Sequence, residues 1–193
     1  MNSESSHILT VTKSICPLCG REAVTNWVQD NIPFFGEVMH ITSLCECGFR
    51  YSDTLIMSQR EPVHYEMEIR TQDDIDARVV RSTSGTIRIP ELGVDMEPGP
   101  ASESFISNIE GVLDRVANIL EMVVRWNEDD KTPRAMELLS NIEKTKAGEF
   151  EITVIIEDPL GNSAIISENA TCRELTQEEA ACLKTGMIIF EKE

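Results

Sequence analysis

The chain has 193 residues, 17 of them basic and 34 acidic, for a net charge of −17, and 41% of it is hydrophobic. That content fits a folded globule rather than a disordered chain, and the charge opposes sequence-independent binding to nucleic acid. The most apolar run, Val112 to Trp126, is broken by Asp114, Arg115, Asn118, Glu121 and Arg125, so no membrane span of about 20 apolar residues is expected.

Met1 to Thr10 lacks a basic stretch followed by an apolar core, so no secretory leader is expected and the protein is placed in the cytoplasm. Six cysteines in that compartment are not read as disulfides. Residues 1–12 read as a polar tail, mildly β-prone from His7 to Val11. Residues 13–56 hold two close cysteine pairs, Cys16-Pro-Leu-Cys19-Gly20 and Cys45-Glu-Cys47-Gly48, separated by 25 residues. Between them Glu37 to Leu44 alternates as a strand does, and Ile32-Pro33-Phe34-Phe35-Gly36 reads as a loop presenting two aromatic rings.

Zinc takes four tetrahedral ligands, and close pairs let a single turn supply two of them. Cys16, Cys19, Cys45 and Cys47 are therefore the candidate ligands of one structural zinc ion in a ribbon whose ends meet. The four thiolates fill the shell, whereas a catalytic zinc keeps one position open. The second pair is one residue shorter than usual, and its cysteines are expected to share one face of a bent strand. A metal-free redox set, or replacement of a ligand by His40, is the alternative. Cys172 and Cys182 stand far from this group and read as buried or partly buried thiols. His64 and Glu66 read as a solvent-facing strand pair.

Residues 57–193 read as a β domain with a helical insertion at about 102–148. Val63 to Ile69, Arg78 to Ser82 and Thr86 to Ile89 are strand-like, and Glu97-Pro-Gly-Pro100 is a linker by composition. From Phe105 to Val124 apolar residues recur every three or four positions. This spacing predicts a six-turn amphipathic helix capped by Ser102 or Ser104. A second helix runs from about Pro133 to Gly148, antiparallel to the first. Phe150 to Ile156 and Ser163 to Ser167 flank a turn at Asp158-Pro-Leu-Gly-Asn162, and Gly186 to Phe190 offers a last strand. Residues 1–60 carry −2 and the remainder −15. An acidic body of this kind fits a basic protein partner as well as plain solubility. No phosphate loop, nucleophile elbow or metalloprotease helix is present, so neither an enzyme nor a small-molecule substrate is expected.

Five segments occur in one order: Cys16-Pro-Leu-Cys19-Gly, Ile32-Pro-Phe-Phe35, Cys45-Glu-Cys47-Gly, Arg88-Ile-Pro-Glu-Leu92 and Asp158-Pro-Leu-Gly-Asn162. Together they resemble the ZPR1-type zinc-finger family across residues 14 to 168, in a single-module, archaeal-like form. The departure is Cys45-x-Cys47, where the family has two intervening residues. The resemblance implies a zinc ribbon joined to a double-stranded β-helix that carries a helical hairpin. It also implies binding to translation elongation factor one-alpha, for which eukaryotic members resemble a folding chaperone. On that picture Phe34 and Phe35 are apolar anchors, and Arg88 and Glu91 are further candidate contacts. Their plain alternatives are packing of the rings within the protein and a strand-end ion pair. The competing function is a nucleic-acid-binding zinc ribbon of transcription or translation, which would want a basic ribbon.

Overall fold

The computed structural model describes residues 7–32, 35–58, 60–99, 102–126 and 131–185, and these fall into two compact units, Met1–Gln59 and Arg60–Glu193. The first unit is a four-stranded antiparallel meander in the order β1-β2-β3-β4. Its strands are β1 (His7–Ile15), β2 (Glu22–Ile32), β3 (Gly36–Leu44) and β4 (Arg50–Ile56). β1 starts at His7 and pairs with β2 out to Gln29, so residues 7–12 are strand where a tail was expected. The physical reason is non-local: β2 is 11 residues long and offers a partner that a short β-prone segment cannot show by itself.

The second unit has its own apolar core, drawn from two antiparallel sheets and a pair of helices. One sheet has the order β12-β5-β10-β7-β8 and the other β11-β6-β9. The strands are β5 (Val63–Ile69), β6 (Arg78–Arg81), β7 (Thr86–Ile89), β8 (Val94–Met96), β9 (Phe105–Asn108), β10 (Ile152–Asp158), β11 (Ala164–Ile166) and β12 (Thr171–Glu174). Along β10 burial alternates, with Ile152, Val154 and Ile156 inside, which is the two-residue period of a strand with one face on a core. Met67, Ile69, Ile87, Ile89 and Val79 join them. With the ribbon ahead of it and the helices inserted, this is the mainly β architecture of a double-stranded β-helix.

The helical insertion is α1 (Ile109–Trp126) and α2 (Thr132–Lys146). α1 begins later than its apolar spacing predicts, because Phe105–Asn108 pairs with β6 as β9. Phe105, Ile106 and Ile109 satisfy either period, and the open edge of β6 decides between them. The Asn108 side chain then accepts the Gly111 N–H at 2.9 Å, taking the capping role expected of Ser102 or Ser104. Ile109, Val112, Leu113 and Val116 of α1 and Leu138 and Ile142 of α2 are buried in the core, and Lys146 Nζ meets Asp114 Oδ1 at 2.5 Å between the helices. A short helix, α3 (Gln177–Ala181), follows β12. Among the described residues no helix is long and apolar enough to cross a membrane. The strand expected at Gly186 to Phe190 lies outside the described residues.

The turn after β10 has an interior role that the sequence does not reveal. Asp158 is fully buried, and its two carboxylate oxygens accept five hydrogen bonds. Ser82 Oγ (2.6 Å), Ser163 Oγ (2.6 Å) and the Asn162 N–H (3.1 Å) reach Oδ2. Ser84 Oγ (2.7 Å) and the Leu160 N–H (2.8 Å) reach Oδ1. Gly161 adopts φ +69°, and a Cβ there would run into the Glu61 carbonyl oxygen and the Arg60 backbone. Gly161→Ala should therefore cost more than the roughly 1–2 kcal/mol of a left-handed alanine alone, read as a lower urea midpoint for the second unit.

Candidate metal centre

The two hairpins of the first unit turn at the cysteine pairs. Ile15 pairs with Glu22 at the end of β1–β2, and Leu44 pairs with Arg50 at the end of β3–β4. In the first turn the Cys16 N–H donates to the Arg21 carbonyl at 2.7 Å and the Gly20 N–H to the Cys16 carbonyl at 2.9 Å. In the second the Cys45 N–H donates to the Phe49 carbonyl and the Gly48 N–H to the Cys45 carbonyl, each at 3.0 Å. Gly20 (φ +69°) and Gly48 (φ +94°) take the left-handed conformation that each turn requires. The second loop thus closes one residue sooner than the first. β3 ends at Leu44, so Cys45 and Cys47 lie in the turn itself and not on a strand face as expected. The deleted residue is absorbed in the loop, and both sulfurs still face the first pair.

All four sulfurs lie within 4.8 Å of one another. Cys16 Sγ is 3.7 Å from Cys47 Sγ, and Cys19 Sγ is 3.6 Å from Cys45 Sγ. A tetrahedron with zinc–sulfur bonds of about 2.3 Å has edges of about 3.8 Å, whereas a disulfide brings its sulfurs to about 2.05 Å. The spacing fits a four-thiolate cage and excludes disulfides, and all four cysteines are free. These residues are placed to hold one zinc ion, which when bound supplies a structural crosslink between the two hairpin turns.

The electrostatics of the sulfurs agree. The Arg21 backbone N–H, helped by the Cys47, Arg21 and Cys45 side chains, holds the Cys19 thiol down at about 6 against its own desolvation. Cys47 goes the other way. The Phe49 backbone N–H favours its thiolate, but hydrogen bonding with Cys19, Cys45 and Cys16, together with desolvation, pushes it up to about 12. Crowded thiols share protons because their charges repel, and a divalent cation lets all four ionise together. His40 is not among the ligands: its Nδ1 lies 3.0 Å from Thr54 Oγ1.

The other expected contacts fall differently. Phe35 is buried, at 6% exposure, in the turn between β2 and β3, so it packs within the protein and is not an exposed anchor. Phe34 lies outside the described residues. Arg88 donates to Glu157 at 3.0 Å and Asp95 at 3.1 Å. Glu91 accepts the Thr153 N–H at 2.9 Å and its hydroxyl at 2.8 Å, tying the turn after β7 to β10. The polar atoms of both side chains are thus engaged inside the domain. His64 is also engaged there, between Glu157 and Glu66 at 3.3 Å each. Cys172 and Cys182, expected to be buried or partly buried, are exposed, one on the edge strand β12 and one just past α3.

A surface feature missed in the sequence lies on α1. Ile119 (54% exposed), Met122 (42%) and Trp126 (71%) recur at three- and four-residue spacing and form an uncovered stripe. Its signal was present: with Met122 and Trp126 added, the apolar positions of α1 span too wide an arc for one core-facing stripe.

Comparison with known proteins places these features together. Residues 10–58 match the ZPR1 zinc-finger domain and residues 73–181 the ZPR1 jelly-roll domain. The chain is 46% identical over 180 residues to a ZPR1-like protein of Methanocaldococcus jannaschii, covering 91% of each chain. It is 32% identical over 169 residues to the zinc finger protein ZPR1 of Bos taurus, covering 83% of this chain and 36% of the bovine one. Identity to the zinc finger chaperone zpr1 of Schizosaccharomyces pombe is 29% over 156 residues, covering 77% of this chain and 34% of the yeast one. The chain therefore spans nearly the whole archaeal relative and about a third of these eukaryotic ones.

Proposed function

The chain belongs to the ZPR1 zinc-finger family, and from that premise we propose that it is a cytoplasmic protein-binding factor, not an enzyme, whose client is translation elongation factor one-alpha. Its role is to assist the folding or assembly of that factor. The observation that carries this reading is the stripe of Ile119, Met122 and Trp126, left open on a helix whose other face is buried. A large aromatic exposed beside two aliphatic side chains is the composition of an interaction hot spot, and contiguous exposed apolar surface marks binding sites. The chain's net charge of −17 supports a client with basic faces. The name of the fission-yeast relative, a zinc finger chaperone, supports the same role. A tetrathiolate shell leaves its metal no open position for substrate, which supports a structural over a catalytic ion.

The test is recovery of partners by the tagged protein from its own cell extract, with and without guanine nucleotides. The elongation factor should be captured by the native chain. Trp126→Asp should lower that recovery by about thirtyfold, as loss of a hot spot worth about 2 kcal/mol would, with zinc content and far-UV circular dichroism unchanged. Repeated absence of the factor alongside enrichment of RNA would replace this reading with the nucleic-acid one.

A further inference from the structure

Arg115 lies on the same line of α1 as the open stripe. Positions 115, 119, 122 and 126 are four, three and four residues apart, the spacing that stacks side chains on one helix face. Arg115 is itself exposed, so the stripe of Ile119, Met122 and Trp126 ends in a cation. Its guanidinium is 4.2 Å from the centre of the Phe105 ring on β9. The Arg81 guanidinium lies 5.8 Å from the same ring, Arg81 and Phe105 being opposite one another in the β6–β9 pair. Arg81 is buried. It donates to the Glu103 carbonyl at 3.3 Å, and its Nε has no partner.

No acid of the described chain answers Arg115. A helical ion pair would place one three or four residues away, but those positions hold Gly111, Val112, Asn118 and Ile119. Asp114 is taken by Lys146, and Glu121 by Arg125 at 3.3 Å. The chain has 34 acidic residues to 17 basic, yet two guanidinium groups meet at one ring with no carboxylate bonded to either among the described residues. Like charges so placed repel, and an incoming anion relieves that repulsion. A ring can hold a guanidinium without using its N–H groups, which stay available as the fork that binds a carboxylate through two bonds.

We propose that Arg115 is the charged end of the docking stripe and receives an aspartate or glutamate side chain of the client, whose apolar side chains cover Ile119, Met122 and Trp126. This rests on the reading of the stripe as the client-binding surface. The client segment then carries its carboxylate about 10 Å from the group that meets Met122, seven residues along the helix at about 1.5 Å each. A cation at one end of an apolar stripe fixes the direction in which that segment lies.

The test uses the tagged full chain in its own cell extract, with recovered proteins quantified by mass spectrometry. Arg115→Gln should lower recovery of the elongation factor about tenfold, in line with loss of one charge-assisted contact, and Arg115→Glu should lower it further. Arg173→Gln removes a cation already bonded to Glu179 at 2.9 Å and should stay within about twofold of the native chain. Arg115→Lys keeps the charge without the fork and should recover part of the loss. Its amine also gives a direct readout, because a water-soluble carbodiimide joins an amine to a carboxylate as an amide. Peptide mapping of the R115K complex should show position 115 linked to an aspartate or glutamate of the client. If the factor is absent, but another protein whose recovery falls in Trp126→Asp also falls tenfold in R115Q and forms that link, the client is a different protein and the proposal stands. Native recovery in R115Q or an equal loss in R173Q overturns it. So do links from position 115 to carboxylates of this chain alone, or the absence of any protein whose recovery depends on Trp126.

Discussion

Cys16→Ser releases the zinc and unfolds the first unit while the second stays folded. The expectation follows from how little else holds the ribbon together. Its buried apolar side chains among the described residues are Cys16, Ala23, Phe35 and Val38, and one of those is itself a ligand. Four strands with so small an interior do not offset the ordering entropy of some 50 residues, at about 1–2 kcal/mol each. Zinc held by a structural site contributes about 10–16 kcal/mol in model peptides, which a module with so small a core cannot forgo. Cys16 is the most buried of the four ligands, so a serine there leaves a weak ligand where water cannot substitute freely. Zinc analysis of the purified variant should fall from one equivalent to near none. Emission from Trp27, whose indole N–H donates to Thr12 at 2.9 Å, should shift to the red. A variant that keeps its full zinc complement would show that the ligand set is wrong.

The second large effect is expected at Asp158. Asp158→Ala removes the acceptor for three serine hydroxyls and two backbone N–H groups at a site fully closed to water. Arg81, only 4% exposed, loses a compensating negative charge at the same time; burial already lowers its affinity for a proton, and Asp158 opposes that. Stranding buried donors and a buried cation costs about 3–5 kcal/mol in comparable sites. Asp158→Asn keeps the shape and one acceptor oxygen and should lose less. Urea unfolding followed by far-UV circular dichroism separates the two. If the alanine variant unfolds within about 1 kcal/mol of the native chain, the carboxylate does not organise this end of the sheets.

The two results bear on what a sequence can and cannot disclose. The cysteine cage is legible because its information is local: each pair sits in one turn, and Gly20 and Gly48 mark where the backbone reverses. The alternation of Ile152, Val154 and Ile156 is legible for the same reason. Asp158 was readable only as part of a turn, because its serine partners Ser82 and Ser84 lie 76 and 74 residues earlier in the chain. β1 and β9 fail for a related cause, since each exists only through a partner strand that supplies the missing hydrogen bonds. From the composition of its loop Phe35 reads equally as an exposed anchor or as a ring packed inside. A phenyl ring nevertheless gains about 1.5–3 kcal/mol by leaving water, and nothing in composition says whether a neighbour is there to cover it. The roles of Arg88 and Glu91 depend on Glu157 and Thr153, 69 and 62 residues away.

The helical hairpin is rooted at one end. Ile109 to Val116 and Leu138 to Ile142 are held by the core, while α1 runs on to Trp126 and α2 sets out from Thr132. Beyond that root Ala135 is still buried and Ala117 and Leu120 still pack on the core, while Ile119, Met122 and Trp126 face solvent. Those three positions are a free edge of the molecule, open to replacement without retuning the sheets beneath.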